Sequence, residues 1–566
     1  MKNTGTIETI LKRIYGDKKG QRALEKILAR MEKTIVKKSK KKYSFDQEDA
    51  VLITYGDTLQ RQGKAPLKVF NEFAAEYLEG VFSAIHFLPF FPYSSDDGFS
   101  VTDFFSVDPR LGKWKDIRQT GLHFKLMFDY VLNHVSAHSS WFENYLSGKQ
   151  SYEKIAIETD PSTDLTGVTR PRSLPLLTEV KKNDGSVAHV WTTFSADQID
   201  LNYKSIDVLE KMVDVLLFYI EQGVDILRLD AIAYLWKRIG TTCIHLDQTH
   251  DMVKLFRSIL DIVAMDVIII TETNVPHKEN ISYLGDGQNE AQMVYNFTLP
   301  PLLLHSFISE NTVLLSQWVK ELYLSSPDNT FFNFTASHDG IGVRPLEGIL
   351  SAEEIEGIIR VVKKNNGTVS YKQNADGSQS PYELNITYID ALGSRVSGQD
   401  RHLAHRFLAS QAIQYVLPGV PATYIHSLLG SRNWKKGVCM TGRARTINRE
   451  KLQIDDVIKQ LDDPATFRSE IFHAYRRIIR LRKQQPAFHP NAQFKILIIH
   501  PRVFAIRRQC PEQTIFAFTN VSARPVSLSL SGHQVSGQVR DLISGKTFNA
   551  ESFDLGPYQF VWFLPI

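Results

Sequence analysis

From residue 50 onward, short apolar segments alternate with longer stretches in which apolar residues recur at helical spacing. Such an alternation is typical of βαβ units around a parallel sheet. Eight of the apolar segments are predicted to be strands: Val51–Tyr55, Ala84–Pro89, Lys125–Tyr130, Asp225–Asp230, Val267–Glu272, Met293–Phe297, Phe331–Ser337 and Ala412–Tyr424. Because eight such units can close on themselves, the sequence predicts an α/β fold, a (β/α)8 TIM barrel, over residues 46–490.

Other regions interrupt or extend this pattern. Helical periodicity over residues 1–45 predicts an N-terminal helical extension, and the lysine-rich run at 37–42 is explained as its solvated end rather than a nucleic-acid patch. Two connections, over about 135–205 and about 340–405, are too long for simple loops. Because each follows a barrel strand, we expect two subdomains over the C-terminal mouth, where barrel enzymes hold their sites. Alternating segments predict a small antiparallel β-domain over residues 491–566.

The composition is that of an ordinary globular protein and narrows the choice of partners. The net charge of +4, from 66 basic and 62 acidic residues, gives no field that would attract nucleic acid or an anionic membrane. The sequence has no apolar run long enough to cross a bilayer and no signal-peptide core near its start. Cys243, Cys439 and Cys510 form no paired motif, so we expect a cytoplasmic location.

Three of the predicted strands end in, or are followed closely by, a carboxylate: Asp230, Glu272 and Asp339. One such carboxylate is commonly a helix cap, but three at the mouth of a barrel are hard to explain as caps. Cleavage of a glycosidic bond requires an acid that protonates the leaving oxygen and a second carboxylate that attacks or activates water. Arg228 is expected to keep Asp230 ionised, and Glu272, after an apolar strand, to have a raised pKa.

Four motifs, in order and in strand context, resemble those of the α-amylase superfamily of glycoside hydrolases: DYVLNH at 129–134, RLDAIAY at 228–234, TETN at 271–274 and SHDG at 337–340. The resemblance covers nearly the whole chain. It implies that Asp230 is the nucleophile, Glu272 the acid/base and Asp339 a third carboxylate that grips the sugar hydroxyls. It also implies that three polar side chains surround the reacting glucose: Arg228, His134 and His338.

Within that superfamily, the chain is similar to the sucrose phosphorylase group. The segment HFLPFFPYSSDDGFSVTDF at 86–104 resembles the loop that closes the glucose subsite. The resemblance implies that Asp96 binds the distal glucose hydroxyls and that Phe99 forms an apolar wall. It further implies that Phe194 faces Phe99 and that Tyr234 lines the site.

The same resemblance suggests roles for cations and a phenol. Arg445 resembles the arginine that pairs with Asp96, and Arg443 competes for this role because the spacing around it differs by two residues. Interception of a glucosyl-enzyme by phosphate requires cationic and hydroxyl donors. Arg172 and Tyr382 resemble the residues that contact phosphate.

Several segments depart from typical sucrose phosphorylases, including the N-terminal extension and LWKRIGTTCIHLDQTH at 235–250. They are similar to glucosylglycerate phosphorylases of the same subfamily. This resemblance implies reversible phosphorolysis of 2-O-α-D-glucosyl-D-glycerate to α-D-glucose 1-phosphate and D-glycerate, with no metal ion or other cofactor. Arg172, Lys237 and His277 are candidates for binding the acceptor carboxylate.

Other activities remain open at the level of sequence. Sucrose phosphorylase and glucosylglycerol phosphorylase are the nearest alternatives, and a hydrolase or transglucosidase of the same superfamily is another. A non-catalytic barrel is disfavoured because all three carboxylates are present. The expected partners are small-molecule substrates, namely an α-glucoside and inorganic phosphate, and the chain could also form a homodimer.

Overall fold

The computed structural model describes residues 4–34, 42–172, 174–324, 326–374, 378–393, 402–533 and 535–566. Eight parallel strands form a closed barrel. In chain order they are β1 (Val51–Thr54), β2 (Ala84–Phe87), β3 (Lys125–Tyr130), β4 (Ile226–Leu229), β5 (Ile268–Thr271), β6 (Met293–Tyr295), β7 (Thr330–Phe334) and β8 (Val420–Tyr424). Each strand pairs with its neighbours in the sequence, and β8 pairs with β1. The predicted (β/α)8 barrel is therefore confirmed.

The eighth strand is shorter than the sequence predicted. Residues 412–416 belong to the helix Leu403–Val416, nearly all of which is buried. A helix that is buried on all sides carries a continuous apolar run, which periodicity cannot distinguish from a buried strand. The positive φ of Gly419, 131°, lies in the short turn that separates this helix from β8.

Helices surround the barrel, and their apolar faces pack against it. One example is Ile206–Glu221, whose buried residues recur at helical spacing and which ends just before Gly223, at a φ of 93°. The others are Pro66–Phe73, Trp114–Thr120, Asp247–Val263, His277–Ile281, Leu299–Ile308, Val313–Lys320 and Phe467–Lys483. Shorter helices follow β8: Ile425–Leu428, Lys435–Thr441 and Ile454–Asp462.

Two helices, Thr4–Tyr15 and Asp17–Lys33, occupy the N-terminal extension. They pack against the barrel helices Asp247–Val263 and Ile206–Glu221. Ion pairs reinforce this contact, among them one between Arg30 and Asp214 at 2.5 Å. Apart from Lys42, the lysine-rich run lies outside the described residues.

Both long connections fold over the mouth of the barrel. The first contains the helix Ser140–Leu146 and two antiparallel pairs: His134–Ser136 with Gln198–Asp200, and Leu177–Lys181 with Val187–Trp191. The second contains the helices Ala352–Lys364 and Tyr388–Leu392 and a three-stranded sheet of Ile341–Gly342, Gln379–Asn385 and Thr368–Gln373. Part of the second insert lies outside the described residues.

The predicted C-terminal β-domain is confirmed as an antiparallel sheet of six strands: Gln493–Ile496, Val503–Cys510, Gln513–Asn520, Phe560–Pro565, Gln538–Asp541 and Thr547–Asn549. A further antiparallel pair, Val526–Leu528 with Phe553–Leu555, accompanies it. Across the described part of the chain, every helix is too short or too polar to cross a membrane.

Candidate active site

The ends of the barrel strands bring the predicted site residues to one cavity, which we call the carboxylate cavity. β4 and β5 pair with Leu229 opposite Thr271, so Asp230 and Glu272 leave neighbouring strands at the same level. Twelve of the predicted residues line this cavity: Asp96, Phe99, His134, Arg172, Phe194, Arg228, Asp230, Glu272, His338, Asp339, Tyr382 and Arg445. The sequence therefore located the cavity, although it could not supply the contacts within it.

A buried guanidinium lies between the carboxylates. Arg228 donates a hydrogen bond of 2.6 Å to Asp230 and another to Asp129, and its Nη2 lies 3.9 Å from Glu272. Asp129 is fully buried and also shares a hydrogen bond of 2.8 Å with His86. Neither Asp129 nor His86 was predicted to help hold Arg228 in place, although Asp129 is the first residue of the DYVLNH motif.

The three carboxylates have different pKa values because their surroundings differ. Burial raises the pKa of Glu272 to about 7, opposed by Arg228 and reinforced by Asp230 and Asp339. Burial also raises the pKa of Asp230, and Arg228 offsets only part of this effect. Burial also acts to raise the pKa of Asp339, but the surrounding charges, of which Arg445 is the strongest, together outweigh it and hold this pKa well below the usual range. A neutral acid beside an ionised carboxylate is the combination that acid/base chemistry requires.

Asp339 lies beside two arginines and a histidine. Its Oδ1 is 2.7 Å from Arg445 and 3.5 Å from Arg449, and its Oδ2 is 3.4 Å from His338 Nε2. Glu383, a buried carboxylate of the second insert, binds Arg445 at 2.9 Å. Neither Glu383 nor Arg449 was predicted from the sequence, although Glu383 directly follows Tyr382 and Arg449 lies four residues after Arg445.

The predicted pair between Asp96 and Arg445 is wrong for this structure. Among the described residues, Arg445 forms its ion pairs with Asp339 and Glu383. Asp96 is instead 3.8 Å from Arg172. The physical reason is competition, because Asp339 and the buried Glu383 hold the Arg445 guanidinium and leave Asp96 beside Arg172 of the first insert.

The other arginines of this segment also differ from the prediction. Arg449 binds Asp97, the neighbour of Asp96, at 2.5 Å. Arg443, the alternative partner of Asp96, is exposed and takes part in no ion pair among the described residues. It lines an adjoining cavity of about 370 Å³, which also contains Arg172 and Tyr382.

Aromatic rings form the walls of the carboxylate cavity. Phe99 stacks on His338 with ring centroids 4.8 Å apart. Phe194 contacts His134 at 5.5 Å. It also contacts Tyr234 at 5.4 Å, but Tyr234, which was predicted to line the glucose site, is not among the residues that line this cavity. Burial lowers the pKa of His338 to about 3, so this imidazole is neutral at physiological pH.

Two of the candidates for binding the acceptor line neither the carboxylate cavity nor the two cavities beside it. Lys237 is buried, donates to Asn133 Oδ1 at 2.9 Å and to the Tyr234 carbonyl at 2.5 Å, and forms an ion pair with Asp200. These three contacts use all three N–H donors of the Lys237 ammonium. The ammonium also serves as the counter-charge that the buried Asp200 requires. The proposal that Lys237 binds the acceptor is therefore wrong.

His277 is also misassigned as an acceptor ligand. Its ring packs against Phe331 at 5.7 Å and Trp318 at 6.3 Å, and burial lowers its pKa. It begins the helix His277–Ile281 and turns towards neighbouring elements of the barrel wall, so it lines neither the carboxylate cavity nor the cavities beside it.

Comparisons with known proteins agree with this architecture. The family described as alpha amylase, catalytic domain, matches residues 75–339, and the maltogenic amylase C-terminal domain matches residues 496–562. The chain is 45% identical to the glucosylglycerate phosphorylase of Escherichia coli, covering 98% of this chain and 99% of that protein. It is 47% identical to the glucosylglycerate phosphorylase of Spirochaeta thermophila, covering 92% and 90% respectively.

A solved structure has the same fold. The crystal structure of sucrose 6F-phosphate phosphorylase from Thermoanaerobacter thermosaccharolyticum superposes with a TM-score of 0.75 at 24% identity. The superposition covers 91% of this chain and 99% of that one.

Proposed function

The chain belongs to the α-amylase family, within the subfamily of sucrose and glucosylglycerate phosphorylases, and from this we propose that it catalyses reversible phosphorolysis of 2-O-α-D-glucosyl-D-glycerate. The products are α-D-glucose 1-phosphate and D-glycerate. The observation that carries the proposal is that Asp230 and Glu272 stand at one level of neighbouring strands and line one cavity with Arg172 and Tyr382.

The strand register supports a mechanism with retention of configuration. Neighbouring strands lie roughly 4.8 Å apart, and retaining enzymes hold their two carboxyl groups roughly 5 Å apart. In the first step, Asp230 attacks the anomeric carbon while Glu272 protonates the glycosidic oxygen, so glycerate leaves with its hydroxyl restored. The glucosyl group is then bound to Asp230 as an ester of inverted configuration.

In the second step, a phosphate oxygen attacks the same carbon and Asp230 leaves. The phosphate gives its proton to Glu272, which returns both carboxyl groups to their starting states. Arg172 supplies positive charge for the phosphate, and Tyr382, whose pKa burial raises to about 12, remains a protonated donor. Arg228 contacts Asp230 throughout and stabilises it as a leaving carboxylate.

The remaining residues bind the glucosyl group. Asp339 is ionised because Arg445 lowers its pKa, and an ionised carboxylate can accept two sugar hydroxyls. Asp96 lines the same cavity and serves the distal hydroxyls, while the Phe99 ring covers an apolar face of the sugar. A cytoplasmic location and a homodimer remain predictions of the sequence.

One assay separates this activity from its alternatives. Purified protein is incubated with glucosylglycerate, sucrose or glucosylglycerol, each with and without phosphate, and α-glucose 1-phosphate and free glucose are measured. The expected result is phosphate-dependent release of α-glucose 1-phosphate from glucosylglycerate alone. Release from another donor alone would contradict the proposed acceptor, and equal glucose release without phosphate would indicate a hydrolase.

A further inference from the structure

A second cavity, which we call the cationic pocket, adjoins the carboxylate cavity at Tyr382. It has a volume of about 450 Å³ and lies between the two inserts. The first insert contributes residues 166–171, and the second contributes Arg344, Lys372 and Asn374. Its lining among the described residues contains three cations, Arg170, Arg344 and Lys372, and no acidic side chain. A pocket with this charge selects an anionic ligand.

Two cations of this pocket, Arg344 and Lys372, have N–H groups that are available to a ligand. Arg344 Nη2 is 3.6 Å from Glu279, and its buried Nε has no hydrogen-bond partner. Lys372 is 3.5 Å from Glu347. Both glutamates lie outside the pocket lining and are partly exposed to solvent. At such separations neither cation is fully hydrogen-bonded, so a carboxylate that enters the pocket gains charge-assisted hydrogen bonds.

Arg344 is held close to the reacting groups. It begins the short turn Arg344–Leu346, five residues beyond Asp339, and the preceding Val343 N–H donates to the Tyr382 carbonyl at 3.0 Å. Burial raises the pKa of Tyr234, which the nearby charge of Glu272 raises further and that of Arg344 lowers. Arg344 and the Tyr234 phenol line the pocket together.

We propose that Arg344 binds the carboxylate of the acceptor, with Arg170 and Lys372 supplying the surrounding positive potential. This inference rests on the proposed function. The oxygen that Glu272 protonates is carried by the carbon next to the glycerate carboxylate, so that carboxylate must lie close to Glu272, and the cationic pocket adjoins the carboxylate cavity at Tyr382. The planar guanidinium fork of Arg344 matches a carboxylate in two hydrogen bonds.

Phosphate and glycerate then have separate cationic partners. Arg172 lines the carboxylate cavity and the cavity on the Asp96 side, but not the cationic pocket. Arg344 lines only the cationic pocket. The Tyr382 phenol borders all three cavities, so it lies between the two anion sites.

The test compares Arg344→Met and Arg344→Lys with the parent in the direction of synthesis, with α-glucose 1-phosphate as donor. Acceptors are D-glycerate and glycerol, which lacks the carboxylate. Because hydrogen bonds to charged groups are strong, the preference for glycerate over glycerol is expected to fall roughly 10- to 100-fold in Arg344→Met, mainly through KM. Arg344→Lys is expected to recover part of the preference, because it keeps the charge but loses the fork.

Arg238→Met is the matched control, because Arg238 is exposed and lines none of these three cavities. It removes the same charge and is expected to leave the preference unchanged. Two results would overturn the inference while the proposed function stands: a parent-like preference in Arg344→Met, or a raised KM for phosphate with an unchanged KM for glycerate. A parent protein that makes no glucosylglycerate would instead refute the proposed function, and the inference with it.

Discussion

At the scale of single residues, the chemistry depends on how three carboxylates share the nearby cations. Arg228 hydrogen-bonds Asp230 and lies 3.9 Å from Glu272. Asp339 has Arg445 at 2.7 Å. Glu272 is therefore the carboxylate with the weakest contact to a cation, and burial raises its pKa to about 7. Glu272 is suited to act as the acid because it is buried and its contact with Arg228 is too long to offset the effect of burial.

Replacement of Glu272 or Asp230 should greatly reduce turnover, for a different reason in each case. Glu272→Gln should lower kcat roughly 10²- to 10⁴-fold because it removes proton transfer, and Asp230→Asn should lower it further because no covalent intermediate can form. Release of α-glucose 1-phosphate measures this loss, with thermal unfolding as the control for folding. α-Glucosyl fluoride, whose leaving group needs no acid, should still react with Glu272→Gln but not with Asp230→Asn. Equal loss on both donors would contradict the assignment.

The raised pKa of Glu272 also predicts a pH-dependent effect on stability. The pKa of Glu272 rises from 4.5 to about 7 on folding. Below pH 4.5 the carboxyl group is protonated in both states and does not affect stability, whereas above pH 7 the folded protein contains an unfavourable ionised carboxylate. At roughly 1.4 kcal/mol per pKa unit, Glu272→Gln should raise the free energy of unfolding by about 3–4 kcal/mol at pH 8. Urea unfolding at pH 8 and pH 4 tests this, and the gain should vanish at pH 4. The exposed Glu353→Gln should show no such difference.

At the scale of elements, a buried ammonium ties the first insert to the turn that follows β4. Lys237 joins Asn133, Asp200 and the Tyr234 carbonyl. Lys237→Met leaves the buried Asp200 without its counter-charge and should lower the free energy of unfolding by roughly 3–5 kcal/mol. Thermal unfolding measures the loss. Adding Asp200→Asn should restore part of the stability, and a double variant no better than the single one would contradict this explanation.

The loop that carries Asp96 and Phe99 depends on Gly98. This glycine has a φ of 110°, and an added Cβ would lie 2.5 Å from the Pro89 carbonyl oxygen. Gly98→Ala should therefore displace the loop and raise KM for glucosides, because Asp96 and Phe99 both line the carboxylate cavity. Gly63→Ala is the matched control, with a φ of 74° and no atom within 4 Å of its Cβ. Similar KM values in both variants would show that the clash is unimportant.

The sequence predicted elements and strand ends better than it predicted partners. Buried parallel strands carry continuous apolar runs, which located β1 to β7 and, through their ends, Asp230 and Glu272. The choice of partner for Arg445 and Lys237 depends on loops that meet only after folding. Glu383 binds Arg445 although the two residues lie 62 positions apart in the sequence, and hydrophobic periodicity cannot predict such a contact.

At the scale of the whole molecule, the C-terminal domain and the barrel are joined through a buried guanidinium. Arg508 is fully buried on the strand Val503–Cys510, and burial lowers its pKa. It donates to the carbonyl of Val416, at the end of a barrel helix, at 2.8 Å and to the His489 carbonyl at 2.6 Å. Since buried carbonyls require donors, these bonds fix the orientation of the domain.

Arg508→Met should weaken this junction. It leaves the Val416 carbonyl without its donor, at a cost of roughly 1–3 kcal/mol, and removes one of the two donors to the His489 carbonyl, which keeps the Ala492 N–H at 2.9 Å. The expected result is a lower Tm, with the C-terminal domain unfolding before the barrel in calorimetry. Arg507→Met is the matched control, because Arg507 is the strand neighbour whose side chain points to the other face. If both variants unfolded at the same Tm in one transition, the Arg508 contacts would not hold the two domains together.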